Sequence, residues 1–99
     1  MDKSKEQYNF QIEIQRRHID DIDRKLYLCL LNRMMRVHNI GEIKKEFGED
    51  EMSVERIDEI YEKLKGWAID DGLPVSLVNN IYDTIFEFSR LEQFLIING

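Results

Sequence analysis

Cysteine and proline each occur once in 99 residues, and no apolar run approaches the length of a membrane span. Each scarcity excludes something. A single thiol, Cys29, can form neither an intrachain disulfide nor a multi-thiolate zinc site, and is expected to be a packing residue. His18 and His38 lie too far apart for a compact metal-binding pair. No Ser/His/Asp or Cys/His grouping accompanies them, so both are expected to be surface or structural residues. No metal and no cofactor is called for. Cations are also in the minority: the formal net charge is −6, which argues against a nucleic-acid or anionic-membrane surface, since phosphate binding draws on clustered positive charge. The opening MDKSKEQ lacks the apolar core of a secretory signal, so the expectation is a cytoplasmic protein forming a single domain over residues 1–99, with 1–7 a flexible N-terminus.

What is present is helical periodicity. From about Glu6 to Phe47 there is no proline and no turn cluster, and Ile12, Ile19, Ile22, Leu26, Cys29, Leu30, Val37 and Ile40 recur on one stripe. Such a helix would run about 60 Å at 1.5 Å per residue, roughly twice the width of a small domain. One chain cannot cover that stripe, and a homodimer is the economical answer. Gly41 within it costs about 1 kcal/mol unless packing needs it. Gly48 and the acidic residues after it make a stop and a loop.

A second helix starts at Ser53, a good N-cap with Glu55 in the first turn and Met52 and Ile57 placed as a hydrophobic staple. Its apolar face continues through Ile60, Tyr61, Leu64 and either Trp67 or Ala68. Gly72 followed by Leu73 reads as a Schellman-type stop, and Pro74 suits the first turn of a third helix reaching about Ile97. The fold class is all-α, with three helices and short loops.

Polar residues interrupt these stripes. Counted in sevens, Arg33 shares its helical position with Ile19, Leu26 and Ile40, and Lys44 shares its own with Leu30 and Val37. Arg16, two sevens before Leu30, brings a third cation to the same stripe. On the last helix, Val78, Tyr82, Ile85, Ser89, Gln93 and Ile96 form a face with two polar members. An inward cation needs a counter-charge. One reading is a structural network using Asp23 and Glu92. The other is an anionic ligand, and cations with Ser and Gln but no nucleophile suit a small dicarboxylate whose reaction needs placement and electrostatics.

Several separated residues together resemble the all-helical chorismate mutases, intertwined homodimers of three helices per chain. The resemblance rests on RRHIDDIDRKLYLCLLNR from Arg16 to Arg33, on IGEIK ending at Lys44, on the Glu-Arg of VERI and on GLPVSLVNNIYDTIFEFSRLEQ through Ser89 and Gln93. It implies that Arg16 reaches into the partner's pocket to hold one substrate carboxylate and that Arg33 holds the other within its own chain. Lys44 and Gln93 would donate to the ether oxygen of the breaking bond, Arg56 would add positive charge at the pocket edge, and Ser89 would assist carboxylate binding. The implied reaction is the Claisen rearrangement of chorismate to prephenate in active sites shared between two copies.

The match departs from the family at hydroxyl recognition. A glutamate that binds the ring hydroxyl usually follows the second-helix arginine, and here Ile57 stands there. The acid expected three residues before Arg56 is Ser53, and the hydroxyl would then be handled by Ser53, backbone or water. The related isochorismate pyruvate-lyases, which make salicylate and pyruvate, are similar in their Glu-Arg-aliphatic motif and in WAIDDGL from Trp67. Ser89 fits the mutase pattern better, and the loop after Lys44 is one residue longer than in the lyases. A mutase acting on an amino analogue of chorismate and a non-catalytic helical dimerisation module complete the alternatives.

Overall fold

The computed structural model describes residues 4–49 and 53–99, and every regular element among them is a helix: α1 from Lys5 to Phe47, α2 from Val54 to Asp71 and α3 from Val75 to Ile97. Each boundary has a local cause. The start of α1 is a capping box: Ser4 Oγ accepts from the Gln7 backbone N–H at 3.1 Å, and Gln7 Oε1 accepts from the Ser4 N–H at 3.0 Å. The helix therefore begins inside the segment expected to be flexible, and the signal was the spacing of Ser4 and Gln7. At the other end, Gly48 takes a left-handed φ of 74°. The Glu49 N–H then reaches the Lys44 carbonyl at 2.8 Å, a Schellman closure with Lys44 and Lys45 suitably placed in the last turn.

Ser53 caps α2 as expected, its hydroxyl oxygen accepting from the Arg56 N–H at 3.2 Å. The staple partner Met52 and the loop acids Asp50 and Glu51 lie outside the described residues. Gly72, at φ 75°, and Leu73 both return N–H bonds to the Ala68 carbonyl, which ends α2. Pro74 sits one residue earlier than expected, at the N-cap of α3 rather than in its first turn, and its carbonyl accepts from Leu77 and Val78.

The chain divides by its packing into two compact units, one ending at Met35 and one running from Arg36 to Gly99. In the second, Val37, Leu64, Ala68 and Phe86 form the buried apolar core. Phe86 meets the ring of Tyr61 edge-on at 5.2 Å and that of Tyr82 at 5.8 Å, so aromatic contacts join α2 to α3. Ala68, not Trp67, takes the inward place on α2: Ala68 is 2% exposed and Trp67 is 60%.

The first unit is a length of helix with no buried residue among those described; only Ile12, Arg33 and Met34 are partly shielded. Its stripe residues Ile19, Ile22, Leu26 and Leu30 are exposed. Cys29, expected to pack, is exposed too, because a single helical segment offers no second surface to bury it. Surface pairs decorate this segment: Arg17 with Glu13, Lys5 over the Tyr8 ring and Arg24 over the Tyr27 ring. Among the described residues no helix is long and apolar enough to cross a membrane.

Candidate active site

Val37, Gly41 and Lys44 recur at i, i+4 and i+7 near the end of α1, and so present one face. Gly41 is buried, and a Cβ there would lie 3.0 Å from Ile96 Cδ1, 3.3 Å from Ile96 Cβ and 3.5 Å from Gln93 Cα. The missing side chain is what lets the α1 backbone approach α3 at this level. Its helix-propensity cost is thus offset by packing. One turn on, the same approach brings Lys44 Nζ to Gln93 Oε1 at 2.7 Å in a part-buried hydrogen bond. A charged donor accounts for the shortness. Because the amide oxygen faces the ammonium, the Gln93 NH₂ is turned away from it.

Gln93 is 6% exposed and Ser89, one turn earlier on α3, is fully buried. The two polar interruptions read from the sequence are therefore the most deeply buried polar side chains of the core. Ser89 Oγ donates to the Ile85 carbonyl at 2.7 Å, the back-bonding common for a hydroxyl inside a helix. That directs its proton to its own backbone rather than to a substrate carboxylate.

The other expected site residues are placed as follows. Arg33 is half-buried and Arg16 exposed, both in the unit that ends at Met35. Arg56 is exposed, and its Nη1 donates to Glu59 Oε1 at 3.1 Å, an oxygen that Lys63 also approaches at 3.3 Å. Ser53 donates to Glu55 Oε2 at 3.0 Å while capping α2, so both roles of its hydroxyl are already engaged. Glu92, one of the acids considered as an internal counter-charge, meets His38 Nδ1 at 3.0 Å, with Glu42 3.7 Å from the other ring nitrogen. His38 is structural in this sense: it ties α1 to α3 across Glu92.

Ile57 is half-buried and opens onto a cleft of about 370 Å³ between α2 and α3, lined also by Tyr61, Asp83, Phe86, Glu87 and Arg90. The Tyr61 hydroxyl donates to Asp83 Oδ1. That bond, helped by desolvation and by the carboxylate's charge, pushes the Tyr61 pKa up to about 12. The phenol thus remains a neutral donor, and Asp83 a satisfied acceptor. Sequence reasoning took Tyr61 only as part of an apolar face and passed over Asp83 and Arg90, although Tyr61 follows Ile57 by four residues and Arg90 precedes Gln93 by three, the spacings of a shared face. Among the described residues no group of three or more His, Cys, Asp and Glu side chains is placed to hold a metal ion.

A family model described as chorismate mutase type II matches residues 15–94, a span that includes every site residue named above. No curated protein and no solved structure matches the chain.

Proposed function

This chain belongs to the chorismate mutase type II family, and on that premise we propose that it rearranges chorismate to prephenate. The observation that carries this reading is the Lys44–Gln93 hydrogen bond at 2.7 Å on a buried face. In the rearrangement one C–O bond breaks as one C–C bond forms, no atom leaves and no proton need be transferred. The protein's task is to hold the enolpyruvyl arm over the ring and to stabilise the negative charge that grows on the ether oxygen. Lys44 supplies an ammonium for that charge. By fixing the amide orientation, it also aims the Gln93 NH₂ as a second donor. Arg33 and the partner subunit's Arg16 take the two carboxylates, for which paired guanidinium contacts are suited. Arg56 serves at the pocket edge once released from Glu59, and Ser89 contributes after its hydroxyl rotates away from Ile85.

A homodimer follows from the same reading. The exposed stripe at Ile19, Ile22 and Leu26, each more than half accessible, supports a second copy as its cover, and the shared sites would then need both chains.

Ile57 favours a second reading. A half-buried aliphatic side chain at the cleft suits isochorismate, and the reaction would then be pyruvate elimination to salicylate. Incubating the protein with chorismate and with isochorismate, and following prephenate and salicylate, separates the two. Turnover of neither favours a non-catalytic helical module over both readings. Lys44→Ala is expected to lower kcat at least about a hundredfold, the scale of losing one charge-stabilising donor, with the far-UV circular dichroism of the wild type retained. Loss of the helical spectrum instead would make Lys44 a structural cation.

A further inference from the structure

The cleft beside Ile57 has a lining of mixed character that bears on the substrate's ring. Ile57 and Phe86 give it apolar walls, Asp83 is occupied by the Tyr61 hydroxyl, and Glu87 and Arg90 stand one turn apart on α3. Arg90 is exposed, and no ion pair or hydrogen bond engages its side chain among the described residues. Arg90 also precedes Gln93 by three residues, so the two positions stand one helical turn apart on α3. Two carboxylates in the lining disfavour a carboxylate of the ligand there. A neutral, hydroxyl-bearing edge is suited to it.

Resting on the reading of the site given above, we propose that Arg90 is a substrate-binding, specificity-determining residue that donates to the oxygen of the substrate's ring hydroxyl beside Ile57. A hydroxyl both donates and accepts, so it can be recognised from either side of that exchange. A carboxylate in the place of Ile57 would accept the hydroxyl's proton. An isoleucine cannot, but a guanidinium across the cleft, with five N–H donors and no acceptor, serves the oxygen lone pairs instead. The apolar Ile57 then packs against the ring rather than leaving the hydroxyl unserved.

The test uses steady-state kinetics of the full chain on whichever of chorismate and isochorismate it turns over, and on the analogue of that substrate lacking the ring hydroxyl. The hydroxyl takes no part in bond making, so its contact is equal in ground and transition states and should appear in KM. Arg90→Leu is expected to raise KM about ten- to a hundredfold with kcat changed by less than about threefold, the scale of a hydrogen bond to a charged group. Wild type and Arg90→Leu should not differ on the analogue, and Arg90→Lys should restore part of the affinity. An unchanged KM in Arg90→Leu overturns the assignment, and so does an equal loss on the analogue, which would make Arg90 a general attractor of anions. Because Arg90 is exposed, the variant is expected to keep the wild-type melting temperature. A wild-type protein inert towards both substrates removes the functional reading and this assignment together, whereas an active wild type with an unaffected Arg90→Leu removes only the latter.

Discussion

Residues up to Met35 and residues from Arg36 onward carry the same apolar repeat and pack in opposite ways. In the first region Leu26 is 58% exposed; in the second Val37, three turns on along the same helix, is 6% exposed. The chemistry of the two side chains hardly differs. What differs is whether a second surface is present within the unit: α3 provides one for the end of α1, and the earlier stretch of α1 has none of its own. An amphipathic stripe therefore reports a demand for burial, and a single chain meets it only where other helices are at hand.

Leu26→Asp tests the contrast most severely. If a second copy covers the first region, a charge in that interface should abolish self-association and cost about 3 kcal/mol or more per subunit, read by sedimentation and by urea unfolding. A variant with unchanged mass and stability would mean that the stripe stays wet in solution.

Gly41 and Gly66 sharpen the comparison inside the second region. Gly41→Val places branched methyl groups where Ile96 already stands within 3.3 Å, and is expected to lower stability by about 2–3 kcal/mol through overpacking. Gly66 is helical, and a Cβ there would meet nothing within 4 Å. Gly66→Ala should raise stability by about 0.5–1 kcal/mol. Equal effects at the two positions would deny Gly41 its role as the point of close approach.

The smallest effect is a titration. Tyr61 carries a folded pKa of about 12 against an ordinary value near 10. The raised value means the protonated phenol is favoured in the folded state. Its bond to Asp83 therefore contributes in full below about pH 10 and is lost as pH climbs from about 10 to 12. Ultraviolet absorbance should show a tyrosine ionising near pH 12, and Tyr61→Phe should remove that step. A titration in which Tyr61→Phe removes no late step would contradict the Asp83 contact.

The helices themselves were legible before any coordinates. The Ser53 cap, the Gly72 closure, the end at Ile97 and the inward face of α3 through Ser89 and Gln93 all follow from spacings of three to four residues. The capping box at Ser4 was equally readable and passed over. At the site, Lys44 and Gln93 were named as partners in chemistry, and the hydrogen bond joining them was not foreseeable in its polarity, with the glutamine oxygen accepting. Nor was the engagement of Arg56 by Glu59 or the place of Arg90 beside Ile57.

Sequence by itself determined that this protein is helical, where its helices begin and end, and which positions carry cations and amides on apolar faces. Those properties arise within a few turns of chain, where backbone hydrogen bonds and side-chain spacing are set by neighbours. Only tertiary structure decided that Gly41 lets α1 approach Gln93, that Ala68 rather than Trp67 turns inward, and that Ile57 and Arg90 line one cleft. Such contacts join residues tens of positions apart, and their distances depend on how close helices approach and at what angle they cross, which volume and packing across the whole core determine.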